Sequence, residues 1–150
     1  MGPLAVLVGL LVGPCPPLVY PLAHPPAVTS TFGTYRISHH HAGLDLVTGD
    51  DETVPVVAAA AGEIYRIKRS SAGYGRAVYV RHPGGWQTVY GHLSSFAPQL
   101  AAEVNARAGV DGDLQVAFNL KTPIPVAAGE ALGTVGTSGT DLVHLHFELR

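Results

Sequence analysis

The sequence predicts a mainly β domain built from many short strands joined by turns. Glycine (18 residues) and proline (12 residues) are plentiful and scattered along the 150-residue chain, which favours turns over long helices. Several segments alternate apolar and polar residues, as strands with one buried face do. Hydrophobic residues make up 47% of the chain and charged residues 13%, so one domain with a substantial core is expected.

Composition also excludes some classes of function. A formal charge of −2 gives no signal for a polyanionic ligand, so nucleic acid is not an expected partner. The single cysteine, Cys15, excludes an internal disulfide and a cysteine-rich zinc site. Eight histidines among so few charged residues are the unusual feature, because imidazoles bind metals and transfer protons near neutral pH.

Residues 1–27 are predicted to precede the folded domain, which we place at 28–150. The apolar run LAVLVGLLV near the start is too short to cross a bilayer as a helix, so no stable membrane insertion is expected. It resembles the hydrophobic part of a secretory signal, although no basic residue precedes it. The proline-rich stretch that follows indicates an extended linker. We expect export; the open alternative is that the apolar run docks on the domain.

The strands of the domain are expected in the following order. VTSTFGTYR, from Val28, favours a strand, with a turn or a close backbone approach at Gly33. TVPVVAAAAGEIYRIKRSS indicates two strands around a turn at Gly62. AVYVRH and WQTVYGH form a predicted hairpin closed by PGG, with His92 at the end of the returning strand.

One helix is predicted within residues 96–122, where the strand pattern stops. Leu100, Val104 and Arg107 stand at helical spacing, and Gly109 provides a stop. VDGDLQVAFNLKT then reads as a turn with a possible strand, and PIPVAAGEALGTVGTSG resumes short strands with glycine turns. These lead into the terminal segment HLHFELR.

The terminal segment is predicted to be a strand that carries histidines on one face. Because successive strand side chains point to opposite faces, His144 and His146 share a face while Leu145 and Phe147 enter the core. Two imidazoles fixed side by side suit metal binding or proton transfer. The alternative is a half-exposed strand that happens to carry two histidines.

A second pair of candidate ligands lies near the start of the domain. His41 and Asp45 are four residues apart, and Gly43 between them permits a bend that brings both side chains to one point. With His92, His144 and His146 they make a candidate set of five residues, and three protein ligands with an open position is the arrangement of a catalytic zinc. The alternative is a histidine-rich surface loop, which is the preferred interpretation of His39 and His40.

Three motifs in this order resemble the signatures of the LytM/lysostaphin-type zinc metallopeptidases. They are HAGLD (His41–Asp45), YGHL (Tyr90–Leu93) and HLHFE (His144–Glu148). The resemblance covers roughly residues 28–150. It implies an antiparallel, barrel- or sandwich-like β core with a narrow groove and one zinc ion per chain at its floor. The family's usual activity implies cleavage of peptide bonds in peptidoglycan stems or cross-bridges, in the periplasm, at the cell wall or in the medium.

The same resemblance implies roles for individual residues and leaves one alternative open. The zinc ligands would be His41, Asp45 and His146; the catalytic residues would be His92, His144 and Tyr35, which lies six residues before the first ligand. Relative to compact members, residues 96–122 look like an insertion that could serve as a lid or dock a protein partner. Some relatives lack zinc ligands and activate other wall hydrolases, so a non-catalytic regulatory module is the alternative.

Overall fold

The computed structural model describes residues 17–23, 27–108 and 115–150. Most of the expected leader, including its apolar run and Cys15, lies outside these ranges. Residues 17–23 differ from the expected linker, because they pack on the domain and Leu22 is buried in its core, bridged to Val56. Within them, no helix is long and apolar enough to cross a bilayer. The helix α1 spans Pro98–Ala108. The strands described are β1 (Ala27–Ser30), β2 (Tyr35–Arg36), β3 (His39–His40), β4 (Leu44–Val47), β5 (Pro55–Val57), β6 (Gly62–Arg69), β7 (Ala77–Arg81), β8 (Gln87–Gly91), β9 (Ser95–Phe96), β10 (Val116–Val126), β11 (Ala131–Thr134) and β12 (Leu145–Leu149).

The strands form three antiparallel sheets. The largest has seven strands in the order β1-β4-β12-β8-β7-β6-β10, a second has the order β5-β11-β9, and β2 pairs with β3. Every strand pairing is antiparallel. The mainly β class with one short helix, expected from the sequence, is therefore confirmed.

The hydrophobic core lies between the two larger sheets. Ile64, Val78 and Tyr90 of the seven-stranded sheet belong to one buried cluster with Val56 and Leu132 of the three-stranded sheet. The opposite face of the large sheet carries a smaller apolar cluster of Ala77, Tyr79 and Val89, and the polar side chains of Asp45 and His146. Burial of the apolar face holds the sheet in register, because a slip of one residue would turn every core side chain outward.

Strand β12 lies in the middle of the large sheet, between β4 and β8. Leu145 and Phe147 enter the core, as their alternation with the histidines predicts. His146 is therefore on the opposite face, in register with Asp45 of β4 on one side and Gly91 of β8 on the other. This pairing joins residues that are about 100 positions apart in the chain and creates the candidate site.

Two elements differ from the expectation. Gly62 begins β6 instead of forming the centre of a turn; a Cβ there would lie 2.4 Å from the Arg81 carbonyl oxygen, so glycine permits the close approach of β7. The segment 123–126 is not a separate strand. It continues β10, which pairs with β6 on both sides of an irregularity between Asn119 and Ile124.

Helix α1 belongs to the core. Leu100 is fully buried, and Val104 is buried beside it in the main hydrophobic cluster. This confirms the apolar face expected from their helical spacing. The expected stop at Gly109 falls outside the described residues, and the helix is described to Ala108.

Candidate metal centre

Three side-chain atoms converge on the polar face of the large sheet. The Nε2 atom of His41 lies 2.9 Å from Nδ1 of His146 and 3.0 Å from Oδ1 of Asp45. The His146 Nδ1 atom is also 3.0 Å from that oxygen. All three residues are buried. They are the three residues that the sequence analysis selected as ligands, and the structure brings them together.

Neighbouring acceptors fix the tautomers of the two imidazoles. His41 Nδ1 donates to the Thr31 carbonyl oxygen at 3.0 Å, and His146 Nε2 donates to Glu148 Oε1 at 2.9 Å. A neutral imidazole that donates through one nitrogen has a lone pair on the other. Lone pairs of His41 Nε2 and His146 Nδ1 therefore face Asp45 Oδ1, which is the arrangement that a metal ion requires.

The donor set fits a zinc ion. Zinc takes imidazole nitrogen at about 2.0–2.1 Å and carboxylate oxygen at about 2.0–2.2 Å in tetrahedral geometry, which corresponds to ligand atoms about 3.3 Å apart. The three atoms are 2.9–3.0 Å apart, so outward shifts of a few tenths of an ångström give that spacing. Among the described residues, they are the group that offers a metal three such ligands.

Asp45 is held as a carboxylate. Burial alone would raise its pKa, but the neighbouring His146 imidazole and the Arg36 guanidinium outweigh burial and keep the pKa well below the ordinary value. The Arg36 contact is short, 2.5 Å from Nη2 to Oδ2. Because Arg36 binds Oδ2, the other oxygen is left to face the histidines.

His92 and His144 stand beside this cluster, with ring centroids 4.6 Å apart. His92 Nδ1 donates to the Ser138 carbonyl oxygen and His144 Nδ1 to that of Leu142, both at 2.8 Å. Both rings consequently carry their lone pair on Nε2, and that of His144 is 3.5 Å from Asp45 Oδ1.

Burial keeps one of these imidazoles neutral. Desolvation is the main cause that lowers the pKa of His92 to about 4. Its backbone φ of 63° is in the left-handed region, which is uncommon for a residue other than glycine. The turn at the end of β8 thus directs the His92 ring across the sheet face, toward His144 and His146.

These groups lie in an open groove of about 340 Å³. Its wall includes both predicted catalytic histidines and all three predicted ligands. The described residues of segment 96–122 do not line it. The lining residues are Arg36, His39, His41, Ala42, Asp45, Gly73, Tyr74, His92, Gly139, Thr140, His144 and His146.

Tyr35 is placed differently from the other predicted site residues. Its side chain is 71% exposed, its hydroxyl donates to the Ile37 carbonyl oxygen, and its ring contacts His40. It does not line the groove, and its catalytic role stays a prediction. His39 and His40 are exposed, as expected, but they form strand β3 instead of a loop, and His39 lines the groove.

Three residues that contact the site were not selected from the sequence. Arg36 binds Asp45, and Tyr74 packs 5.2 Å from the His146 ring and donates to Glu148 at 2.6 Å. Glu148 had a usable signal, since strand alternation places it on the same face as His146. The Arg36 contact with Asp45 spans nine residues and the Tyr74 contact with Glu148 spans 74, and no periodic pattern reveals either.

Comparison with known proteins gives consistent matches. A sequence model described as peptidase family M23 matches residues 39–110. The cell division protein DipM of Caulobacter vibrioides is 32% identical over 82% of this chain. The DD-carboxypeptidase/endopeptidase Mpg of Neisseria meningitidis is 34% identical over 89% of this chain. The chain spans only 16% and 25% of the lengths of these two relatives.

A solved structure shows the same fold. The catalytic domain of the prophage-encoded M23 protein EnpA from Enterococcus faecalis, crystallised as a point mutant, superposes with a TM-score of 0.60 and 26% identity. The match covers 84% of this chain and 81% of that domain. Sequence model, curated relatives and solved structure agree. The chain therefore contains a domain of peptidase family M23, the LytM/lysostaphin family.

Proposed function

We propose that this chain is a zinc-dependent endopeptidase that hydrolyses peptide bonds in bacterial cell-wall peptidoglycan, in a stem peptide or a cross-bridge. The observation that carries the proposal is the convergence of His41 Nε2, Asp45 Oδ1 and His146 Nδ1 within an open groove. These residues would hold one zinc ion. When bound, zinc supplies a Lewis acid that polarises a carbonyl group and makes water more acidic.

His92 and His144 are the proposed catalytic pair. Each ring is oriented by a backbone carbonyl and presents an unprotonated Nε2 to the groove. One such nitrogen can accept the proton of the attacking water and return it to the leaving amine. The other imidazole, when protonated, can donate to the developing oxyanion. The proximity of the two rings lets them act on one scissile bond.

The site of action and the partner follow from this assignment. The substrate is a peptide of the cell wall, so the protein acts outside the cytoplasmic membrane, as the expected export signal would require. The name of the Neisseria meningitidis relative, DD-carboxypeptidase/endopeptidase, supports peptide-bond hydrolysis. We place this activity in the domain at 28–150, against which residues 17–23 also pack, with Leu22 buried in the core.

Digestion of purified peptidoglycan tests the proposal. The untagged protein should release soluble peptides, a chelator should abolish release, and zinc should restore it. Mass spectrometry of the products identifies the bond that is cut. His92→Ala and His144→Ala should each reduce turnover by about 10²- to 10⁴-fold, the usual contribution of general acid–base groups, while zinc content stays near one per chain. His40→Ala, an exposed histidine outside the groove, is the matched control.

A non-catalytic module that regulates another wall hydrolase is the second candidate. One curated relative of similar identity is named a cell division protein and not a peptidase. Segment 96–122 would then be the proposed docking surface for a protein partner. Zinc binding without digestion of any of several wall types would favour this candidate.

A further inference from the structure

Arg36 is a cation in the groove wall with unused hydrogen-bond donors. Its Nη2 atom donates to Asp45 Oδ2 at 2.5 Å and to Ser30 Oγ at 3.0 Å. Among the described residues, none accepts a hydrogen bond from its Nε or Nη1. The side chain is 42% exposed and lines the groove. A guanidinium has five N–H donors, so most of the donor capacity of Arg36 is available to a ligand.

The charge balance of the groove favours an anionic ligand. Among its lining residues, Asp45 is the sole carboxylate, and Arg36 already pairs with it. A zinc ion held by the three proposed ligands would add two positive charges. A substrate that carries a carboxylate beside its scissile bond would enter this environment with favourable electrostatics, whereas a neutral peptide would gain nothing from it.

We propose that Arg36 determines specificity by binding a carboxylate on the substrate residue adjacent to the scissile bond. This inference rests on the proposed function. Arg36 binds Oδ2 of Asp45, and the proposed metal ligand is Oδ1 of the same carboxylate. Arg36 therefore lies next to the proposed metal position. Consecutive Cα atoms are about 3.8 Å apart. A group beside the metal position can therefore contact the substrate residue next to the scissile bond. The substrate class is then an acidic stem peptide, not a neutral bridge.

Arg36 also holds Asp45, so the experiment must separate substrate recognition from support of a ligand. We would compare two stem peptides that are identical except for a free carboxylate or a carboxamide on the residue after the scissile bond. The quantity measured is the ratio of kcat/KM for the acid to that for the amide. Any general loss of zinc or catalysis affects both peptides and cancels in this ratio.

The zinc-loaded protein should prefer the acid about tenfold or more, the value expected for one hydrogen bond to a charged group. Arg36→Ala should bring the ratio close to one, and Arg36→Lys should restore part of it. Arg81→Ala is the control, because Arg81 also pairs with a carboxylate, Glu63 at 3.2 Å, but lies outside the groove. It should leave the ratio unchanged.

The same ratio can be obtained without turnover. Titration of both peptides into zinc-loaded His92→Ala protein, with and without Arg36→Ala, gives it as a ratio of Kd values. A wild-type protein that does not favour the acid overturns the inference, as does an equal ratio in wild type and Arg36→Ala. A protein that favours the acid through Arg36 but digests no wall would reject the hydrolase assignment alone. Binding of neither zinc nor peptide would reject both.

Discussion

The four central histidines of the groove are oriented in the same way. In each of the four central histidines, one ring nitrogen donates to an oxygen atom at the edge of the groove, and the other faces inward. Backbone carbonyls of Thr31, Ser138 and Leu142 serve His41, His92 and His144. His146 is the exception, because a carboxylate, Glu148, accepts its hydrogen bond.

Glu148 is fully buried and has three donors around it. His146 Nε2, Tyr74 Oη and Arg150 Nε lie 2.9, 2.6 and 2.5 Å from its carboxylate oxygens. Burial would raise the pKa of Glu148, but these hydrogen bonds lower it to about 2. Burial and the hydrogen bond to Glu148 together raise the pKa of Tyr74 to about 12. Glu148 is therefore ionised while Tyr74 remains a donor.

Glu148→Gln should weaken zinc binding. The neutral amide holds the His146 proton less strongly and leaves Tyr74 and Arg150 without their charged acceptor. Loss of such a carboxylate–histidine contact typically costs about 10- to 100-fold in metal affinity. Competition with a chromophoric chelator measures the zinc Kd. Glu63→Gln, in a strand but 53% exposed, should have no effect. Wild-type affinity in Glu148→Gln would mean that the His146 tautomer is fixed in another way.

At the scale of elements, the loops that contain Gly75 and Ser138 pack closely together behind the proposed catalytic pair. Gly75 has φ +59°, and a Cβ there would lie 1.9 Å from the Ser138 carbonyl oxygen, the atom that orients His92. The Ser138 hydroxyl adds two hydrogen bonds at this position. It accepts one from Arg76 N and donates one to Leu93 O, both at 2.8 Å. The position of the His92 ring thus depends on close backbone packing between the two loops.

Gly75→Ala should therefore reduce activity by more than the loss of folded protein alone would explain. The methyl group must push Ser138 away, and His92 then loses its orientation. We expect a decrease of at least about tenfold in kcat, since a displacement near 1 Å can cost about 100-fold. Gly85→Ala is the control: φ is +89° but nothing lies within 4 Å of the added Cβ. Equal kcat in both variants, with equal stability, would contradict the role of this contact.

Helix α1 stabilises the domain without touching the groove. Leu100 is fully buried in the main core cluster, so Leu100→Ala should lower the free energy of unfolding by about 2–5 kcal/mol. Chemical denaturation measures this change. Zinc affinity of the folded variant should stay unchanged, and Gln99→Ala, an exposed position on the same helix, should have little effect on either quantity. Altered zinc affinity in Leu100→Ala would show coupling between the helix and the site.

How far the sequence predicts the structure differs between elements. Alternation in the terminal strand was sufficient to assign Leu145 to the core and His146 to the polar face. The contact of Tyr74 with Glu148 was not predictable, because it joins residues 74 positions apart through the order of strands in the sheet. The exposed position of Tyr35 likewise depends on the small β2–β3 sheet, whose two-residue strands are too short to give a periodic signal.

At the scale of the whole molecule, the proposed site joins the two ends of the domain. β4 comes early in the chain and β12 ends it, yet they are neighbours in the sheet and together carry Asp45 and His146. β4 and β12 must pair before the three ligand atoms meet. A metal ion that binds only the assembled site therefore stabilises the entire domain against unfolding.

Zinc should consequently raise the thermal stability of the protein in a concentration-dependent way. At a free concentration about 100 times the Kd, binding to the folded state adds about 2.7 kcal/mol to the free energy of unfolding. Asp45→Asn should lose most of this increment, because the amide is a poorer metal ligand than a carboxylate. Asp141→Asn, an exposed aspartate, should keep it. Thermal unfolding at several zinc concentrations measures both. A midpoint that is independent of zinc in the wild-type protein would contradict a metal site built from both ends of the chain.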